Sequence, residues 1–322
     1  MKKALVLGAG GFIGSHLVKR LKAEGYWVRG ADAKHPAFSK TEADEFLLCD
    51  LRDHDSMRPA FTTAGDFDEV YQLAGDMGGA TYINGGEHDA NVISNSVFIN
   101  VNTAKLCVEC RIRALFFPSS ACVYSSKSDN ATCIESEVYP AFPDNEYGWE
   151  KLFSERMYQS YRKNFGLNVK IARFHSIVGP EAQWKGGREK AHAALARKVA
   201  SVENGGSIDV IGDGTQTRTF LYIDDCLDAV RLLIQSEVDE PVNIGSDELI
   251  SIKDYVLLLK DISKKDFSIN FVPGPTGVKG RECSIEKIGK LLSWRPKIGI
   301  REATEKTYTW ISSKLNEEMV KC

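Results

Sequence analysis

A glycine-rich turn sits within the first fifteen residues, between an apolar run at residues 3–7 and the amphipathic stretch Ser15-His16-Leu17-Val18-Lys19-Arg20-Leu21. The turn reads Gly8-Ala9-Gly10-Gly11-Phe12-Ile13-Gly14, so the local order is strand, glycine turn, helix. Gly8 permits the tight turn, Gly11 lets the backbone approach a pyrophosphate, and Gly14 lets helix and strand pack closely, leaving a helix N-terminus to face the anion. Glycines also serve plain turns. At the start of an alternating strand and helix pattern, however, this one predicts a dinucleotide held by Gly8, Gly11, Phe12, Ile13 and Gly14.

The alternation continues. Residues 26–31 read as a second strand with Asp32 at its end, where a carboxylate accepts hydrogen bonds from the adenosine ribose and repels a 2′-phosphate. NAD is therefore expected rather than NADP. A third strand, 45–49, runs into Asp50-Leu51, a second candidate contact, with adenine; a fourth, 69–74, runs into Gly75-Asp76-Met77-Gly78-Gly79, where glycines suit backbone close to a ligand. Helical spacing over 100–110 carries Cys107 and Cys110, a C-x-x-C with no second pair to complete a zinc set, so packing is expected and no metal. Strands alternating with helices predict an α/β, Rossmann-like doubly wound parallel sheet.

The run Ala114-Leu115-Phe116-Phe117 reads as a buried strand that ends in Pro118-Ser119-Ser120-Ala121-Cys122, bringing a hydroxyl and a thiol to a cleft. Glu146-Tyr147-Gly148-Trp149-Glu150-Lys151 then opens a helix. Tyr147 and Lys151, at i and i+4, share a face, so the lysine cation is expected to lower the phenol pKa and to reach a ribose, and a phenolate near neutral pH is a usable base. In an arbitrary protein this pair would be a surface Tyr and Lys; behind a cofactor turn and a Ser-Ser strand end it reads as catalytic. A net charge of −3 over 322 residues gives no reason to expect nucleic acid or an anionic membrane. The apolar run at 4–8 is too short for a signal peptide or a membrane span, and the eight scattered cysteines read as reduced thiols, so a cytoplasmic location is expected.

Gly8/Gly11/Gly14, Ser120 and Tyr147-x-x-x-Lys151 together resemble the extended short-chain dehydrogenase/reductase superfamily, the nucleotide-sugar epimerases and dehydratases, over nearly the whole chain. The resemblance implies bound NAD, a tyrosine that takes a sugar hydroxyl proton, and a later half that builds a sugar-nucleotide lobe. The NAD-binding part is expected over residues 1–174 plus about 221–245, and the nucleotide-sugar lobe over about 175–220 plus 246–322. A homodimer is expected from the family alone.

Within that superfamily the 4,6-dehydratases place an Asp-Glu pair where this chain has Ala121-Cys122, and simple 4-epimerases usually carry an uncharged residue such as Thr at the cysteine position. A thiol there is similar to the branch that inverts C3 and C5 of GDP-mannose. Ala74-Gly75-Asp76-Met77-Gly78-Gly79, Arg173-Phe174-His175 and Trp184-Lys185-Gly186-Gly187-Arg188-Glu189-Lys190-Ala191 resemble that branch as well. The resemblance implies Cys122 and Lys190 as the base and acid of inversion and Ser120 as a hydrogen bond to the C4 oxygen. By the same resemblance, Gly78, Ala121, Glu189, Ala191 and Lys198 touch substrate, and Gln216, Thr217, Arg218 and Arg281 hold the nucleotide diphosphate end. Ser176 stands at a substrate-contact position where that branch has the longer Asn, and the lone His175 is expected to pack rather than catalyse. Three alternatives stay open: a 4-epimerase or reductase, a different nucleotide base, and an NAD-binding sensor without turnover.

Overall fold

Seven parallel strands form the central sheet, in the spatial order Val242–Ile244, Val169–Phe174, Ala114–Ser120, Glu69–Gln72, Lys3–Leu7, Trp27–Asp32, Glu45–Leu48. Numbered along the chain and read from the opposite edge, that is 3-2-1-4-5-6-7. The order reverses between the first and fourth strands, so a crevice opens beyond their carboxyl ends, where the glycine turn and the Gly75–Gly79 segment lie. The structure is a computed structural model that describes residues 1–62, 66–125, 132–274 and 278–321.

Side chains alternate across the strands and fill a core on each face. Leu5, Leu7, Leu115 and Phe117 belong to one apolar cluster, and Ala4, Val6 and Phe116 to the other. Burying each such phenylalanine contributes roughly 1.5–3 kcal/mol. The glycine turn has the predicted geometry: Gly8 has φ +84°, and a Cβ on Gly14 would stand 2.1 Å from the Gly8 carbonyl oxygen. The helix Phe12–Ala23 follows at once, with no acidic residue in its first turn to compete for its free N–H groups.

Two element boundaries differ from the sequence reading for physical reasons. The fourth strand stops at Gln72, because the Gln72 side chain takes both backbone groups of Ala74, accepting from its N–H at 3.0 Å and donating to its carbonyl at 2.8 Å. The helix expected over 100–110 spans Asp89–Glu109; its buried Ser96, Asn100 and Asn102 hide the apolar periodicity. The last sheet strand and the helix Ile223–Ile234 return to the cofactor sheet as expected.

Beyond the sheet, Gly206–Ile211 pairs in parallel with Phe267–Val272, and Thr217–Thr219 pairs antiparallel with Leu249–Ser251. The helix Ala191–Ser201 packs against the terminal helix Ile300–Lys321. Among the described residues no helix is long and apolar enough to cross a membrane.

Candidate active site

The crevice holds two adjoining cavities. One, of about 490 Å³, is lined by the glycine turn (Gly8, Gly11, Phe12, Ile13, Gly14), by Asp32 and by Asp50 and Leu51. The Asp32 carboxylate accepts from the backbone N–H of Gly10 at 2.9 Å and of Lys34 at 3.2 Å, which ties the second strand to the turn. Burial raises its pKa against the pull of those bonds. The Asp50 carboxylate is engaged by Arg52 at 2.7 Å, which holds it below the usual carboxylate range. A helix N-terminus without acidic neighbours and an acid at the end of the second strand fit a dinucleotide with free ribose hydroxyls.

The second cavity, of about 300 Å³, gathers Ser120 and Cys122, Tyr147, and Lys190 from three separate stretches of chain. The strand Ala114–Ser120 ends in a single 3-10 turn, Ala121–Val123, and the Ser120 Oγ accepts from the Cys122 N–H at 3.1 Å, so hydroxyl and thiol are fixed relative to each other. Tyr147 stands in the first turn of the helix Glu146–Phe165, which Asn145 caps by accepting from the Gly148 N–H at 2.8 Å. A Cβ at position 148 would lie 2.3 Å from the Cys122 carbonyl oxygen; glycine there lets the Tyr147 helix rest directly on the Cys122 turn.

One electrostatic expectation is corrected. Lys151 was expected to lower the Tyr147 phenol, yet burial pushes that phenol above its ordinary value, and the Cys122 and Glu150 neighbours add to the rise. The Lys151 ammonium, buried behind the wall, lies 4.7 Å from the Phe117 ring centroid, 5.5 Å from that of Tyr147 and 4.0 Å from a Glu150 oxygen. Burial also lowers its own pKa. The protein alone therefore keeps Tyr147 protonated, and Lys151 lines neither cavity.

Lys190 stands at the N-cap position of the helix Ala191–Ser201 and lines both cavities, as do Met77, Gly78 and His192, so these residues form the shared wall. Burial lowers the Lys190 pKa, with the Cys122 charge opposing. Glu189 is fixed by the Gly187 N–H at 2.7 Å and by Arg197 at 3.2 Å, and Lys198 donates to the Asp209 carbonyl at 2.6 Å. Gly78, Ala121, Ser176, Ala191, Gln216, Arg218 and Arg281 also face the second cavity. Thr217 does not: strand alternation turns it away from Gln216 and Arg218, and its N–H bonds the Lys279 carbonyl. Burial, then the charge of Arg281, lowers the Arg218 pKa, as expected for two guanidinium groups crowded into one anion-seeking cavity.

His175 packs near the Tyr124 ring, and burial takes its pKa down to about 3, so it stays neutral. Beneath the site, Glu155 accepts from Ser119 at 2.5 Å and pairs with Arg173 through two bonds of 2.9 and 2.8 Å, pinning the strand end to the Tyr147 helix. Cys107 is buried in the apolar core, and the described cysteines are free thiols. Among the described residues no group of three or more His, Cys, Asp or Glu is placed to hold a metal ion.

Sequence reasoning missed Asp144 and His192. The Asp144 carboxylate accepts from Arg281 at 2.9 Å while the same guanidinium donates to the Cys122 sulfur at 3.1 Å. Nothing local marks this pairing, since 137 residues separate Asp144 from Arg281. His192 is buried on the shared wall, its pKa taken down to about 3 by burial, and its Nε2 has no hydrogen-bond partner among the described residues. Its place in the Lys190-Ala191-His192 run was the available signal.

Residues 4–245 match the sequence model of the NAD dependent epimerase/dehydratase family. The chain is 38% identical over 325 residues to GDP-mannose 3,5-epimerase of Arabidopsis thaliana, covering 99% of this chain and 84% of that one. It is 36% identical over 318 residues to GDP-mannose 3,5-epimerase 1 of Oryza sativa subsp. indica, with 97% and 82% covered. Among solved structures, UDP-glucuronic acid 4-epimerase from Bacillus cereus, in complex with UDP-glucuronic acid and NAD, superimposes with a TM-score of 0.84 at 28% identity, covering 97% of this chain and 99% of that one. The glycine turn, the Ser120–Tyr147–Lys151 arrangement and these matches agree: this chain belongs to the NAD dependent epimerase/dehydratase family.

Proposed function

We propose that this chain is an NAD-dependent GDP-mannose 3,5-epimerase that converts GDP-D-mannose to GDP-L-galactose, with GDP-L-gulose as the product of single inversion. The observation that carries the reading is that Cys122 and Lys190 line the same cavity as Ser120 and Tyr147. Relatives bearing that activity, at 36–38% identity over nearly the whole chain, support it.

NAD, when bound along the glycine turn, Asp32, Asp50 and Leu51, supplies reversible hydride acceptance, which makes a C4 alcohol a ketone and back again. Tyr147, which lines the substrate cavity, takes and returns the C4 hydroxyl proton, and Ser120 hydrogen-bonds the C4 oxygen. Burial raises the Tyr147 pKa, so its phenolate would need a cation beside it, a charge that bound NAD would supply. Hydrogens on C3 and C5 become acidic beside the ketone. Cys122 as thiolate removes one of them, and Lys190 as ammonium delivers a proton to the other face, its pKa drawn toward neutrality by burial.

Arg218, with Gln216, holds the diphosphate, while Arg281 lines the same cavity and donates to the Cys122 sulfur; Glu189, Ala191, Lys198, Gly78, Ala121 and Ser176 complete the substrate wall. In this reading residues 1–174 with about 221–245 carry the cofactor, and about 175–220 with 246–322 carry the nucleotide sugar. A homodimer is part of the proposal, supported by exposed Phe98, Trp149 and Phe153 on the two neighbouring helices Asp89–Glu109 and Glu146–Phe165. So is a cytoplasmic location, supported by the free thiols.

A panel of GDP-mannose, UDP-glucose and UDP-glucuronic acid tests the assignment. The expected outcome is a new hexose configuration from GDP-mannose, with kcat/KM at least 100-fold above either UDP-sugar, about 3 kcal/mol of discrimination. Inversion at C4 of a UDP-sugar as the faster reaction would replace this reading with a 4-epimerase.

A further inference from the structure

Arg281 stands among three claimants for its charge. Its Nη1 donates to the Cys122 sulfur at 3.1 Å, its Nη2 pairs with Asp144 at 2.9 Å, and the cavity it lines with Arg218 is the one assigned to the substrate diphosphate. Its side chain and that of Asp144 are mostly shielded from water, 14% and 17% exposed, so the ion pair is weakly screened. A diphosphate entering beside Arg218 draws on both guanidinium groups, and an untethered Arg281 would swing to it and leave the sulfur. Asp144 lies three residues before Tyr147, in the loop that leads to the Asn145 cap, so its carboxylate is anchored to the helix that carries the redox tyrosine.

We propose that Asp144 is a positioning residue for the proton step: it holds the Arg281 guanidinium on the Cys122 sulfur while Arg218 takes the diphosphate. The inference rests on the reading of Cys122 as the base of inversion. A guanidinium donating to sulfur stabilises negative charge there, and a fixed donor does so without reorganising at the moment of proton transfer. One charge pair thus keeps the diphosphate site and the thiol supplied with separate cations, because the like charges of Arg218 and Arg281 favour their staying apart.

The test uses the NAD-loaded protein and its Asp144→Asn variant, with Asp144→Ser as a second loss of charge and Asp144→Glu as the conservative replacement. The first readout needs no substrate: the rate at which iodoacetamide alkylates Cys122 at pH 7, followed by peptide mass spectrometry. It is expected to fall at least fivefold in the Asn and Ser variants and to stay within twofold of the parent in the Glu variant. With GDP-mannose, the Asn variant is expected to lose about tenfold in kcat for exchange at C5 while KM stays within twofold. Alkylation within twofold of the parent in both loss variants would overturn the proposal, as would a raised KM with unchanged kcat, which is the signature of a diphosphate contact alone. If the parent does not turn over GDP-mannose, the substrate assignment fails while the alkylation readout still decides the role of Asp144.

Discussion

Cys122→Ala is expected to lose proton exchange at C3 and C5 by about 10²- to 10⁴-fold, the usual range for removing a positioned base, while keeping bound NAD. The thiol lines the sugar cavity and not the cofactor cavity, so nothing that would hold the dinucleotide is removed. Its backbone N–H still caps on Ser120, and its carbonyl still lies under Gly148, so the turn retains its shape. What changes is the acceptor facing Arg281, which is left with Asp144 alone. In the proposed mechanism oxidation at C4 depends on Tyr147 and Ser120 and is expected to persist, so the variant should accumulate enzyme holding reduced cofactor when mixed with substrate. Exchange undiminished in this variant would make the thiol a packing residue and return the chain to the simpler 4-epimerase chemistry.

Tyr147→Phe is expected to fail one step earlier. Removing the phenol O–H takes away the group that accepts the C4 hydroxyl proton, with an expected loss of about 10²- to 10⁴-fold in turnover. The phenol interacts with the Ser120 hydroxyl, and the ring itself packs beside Lys151, so the fold and NAD content should survive the change. No ketone forms, hence exchange at C3 and C5 is lost as well, though Cys122 and Lys190 are intact. A 4-keto sugar nucleotide supplied directly should restore exchange in Tyr147→Phe but not in Cys122→Ala. Equal failure of both variants on the 4-keto compound would contradict the division of labour between the two residues.

What the sequence made legible was mostly what is local. The glycine turn, the strand that delivers Ser120 and Cys122, and the helix that pairs Tyr147 with Lys151 are written in runs of fewer than about ten residues, because period and turn chemistry act over that distance. Gly148 was present in the motif, and only the folded contact with the Cys122 carbonyl explains why a glycine follows the tyrosine. The helix Asp89–Glu109 was read at half its length, since Asn100 spends its side chain on Gln72, Glu150 and Ser154 in a buried polar network that periodicity scores as surface.

Electrostatics were least legible. A lysine one turn from a tyrosine predicts a lowered phenol pKa, but burial outweighs it at Tyr147, and burial is a property of the whole fold. Thr217 followed from the resemblance to a diphosphate-binding run, whereas the alternation of its own strand turns it from the cavity. Asp144 could not be found at all from spacing, because its partner comes from the far end of the chain.

The most direct measurement of the central claim is hydrogen exchange into the substrate. In deuterated water the NAD-loaded protein should place deuterium from solvent at C3 and C5 of GDP-mannose and leave C4 unlabelled, because the C4 hydrogen is stored on the cofactor and returned. Turnover of GDP-mannose with label at neither C3 nor C5 would contradict the assignment of Cys122 and Lys190 as the acid and base of inversion.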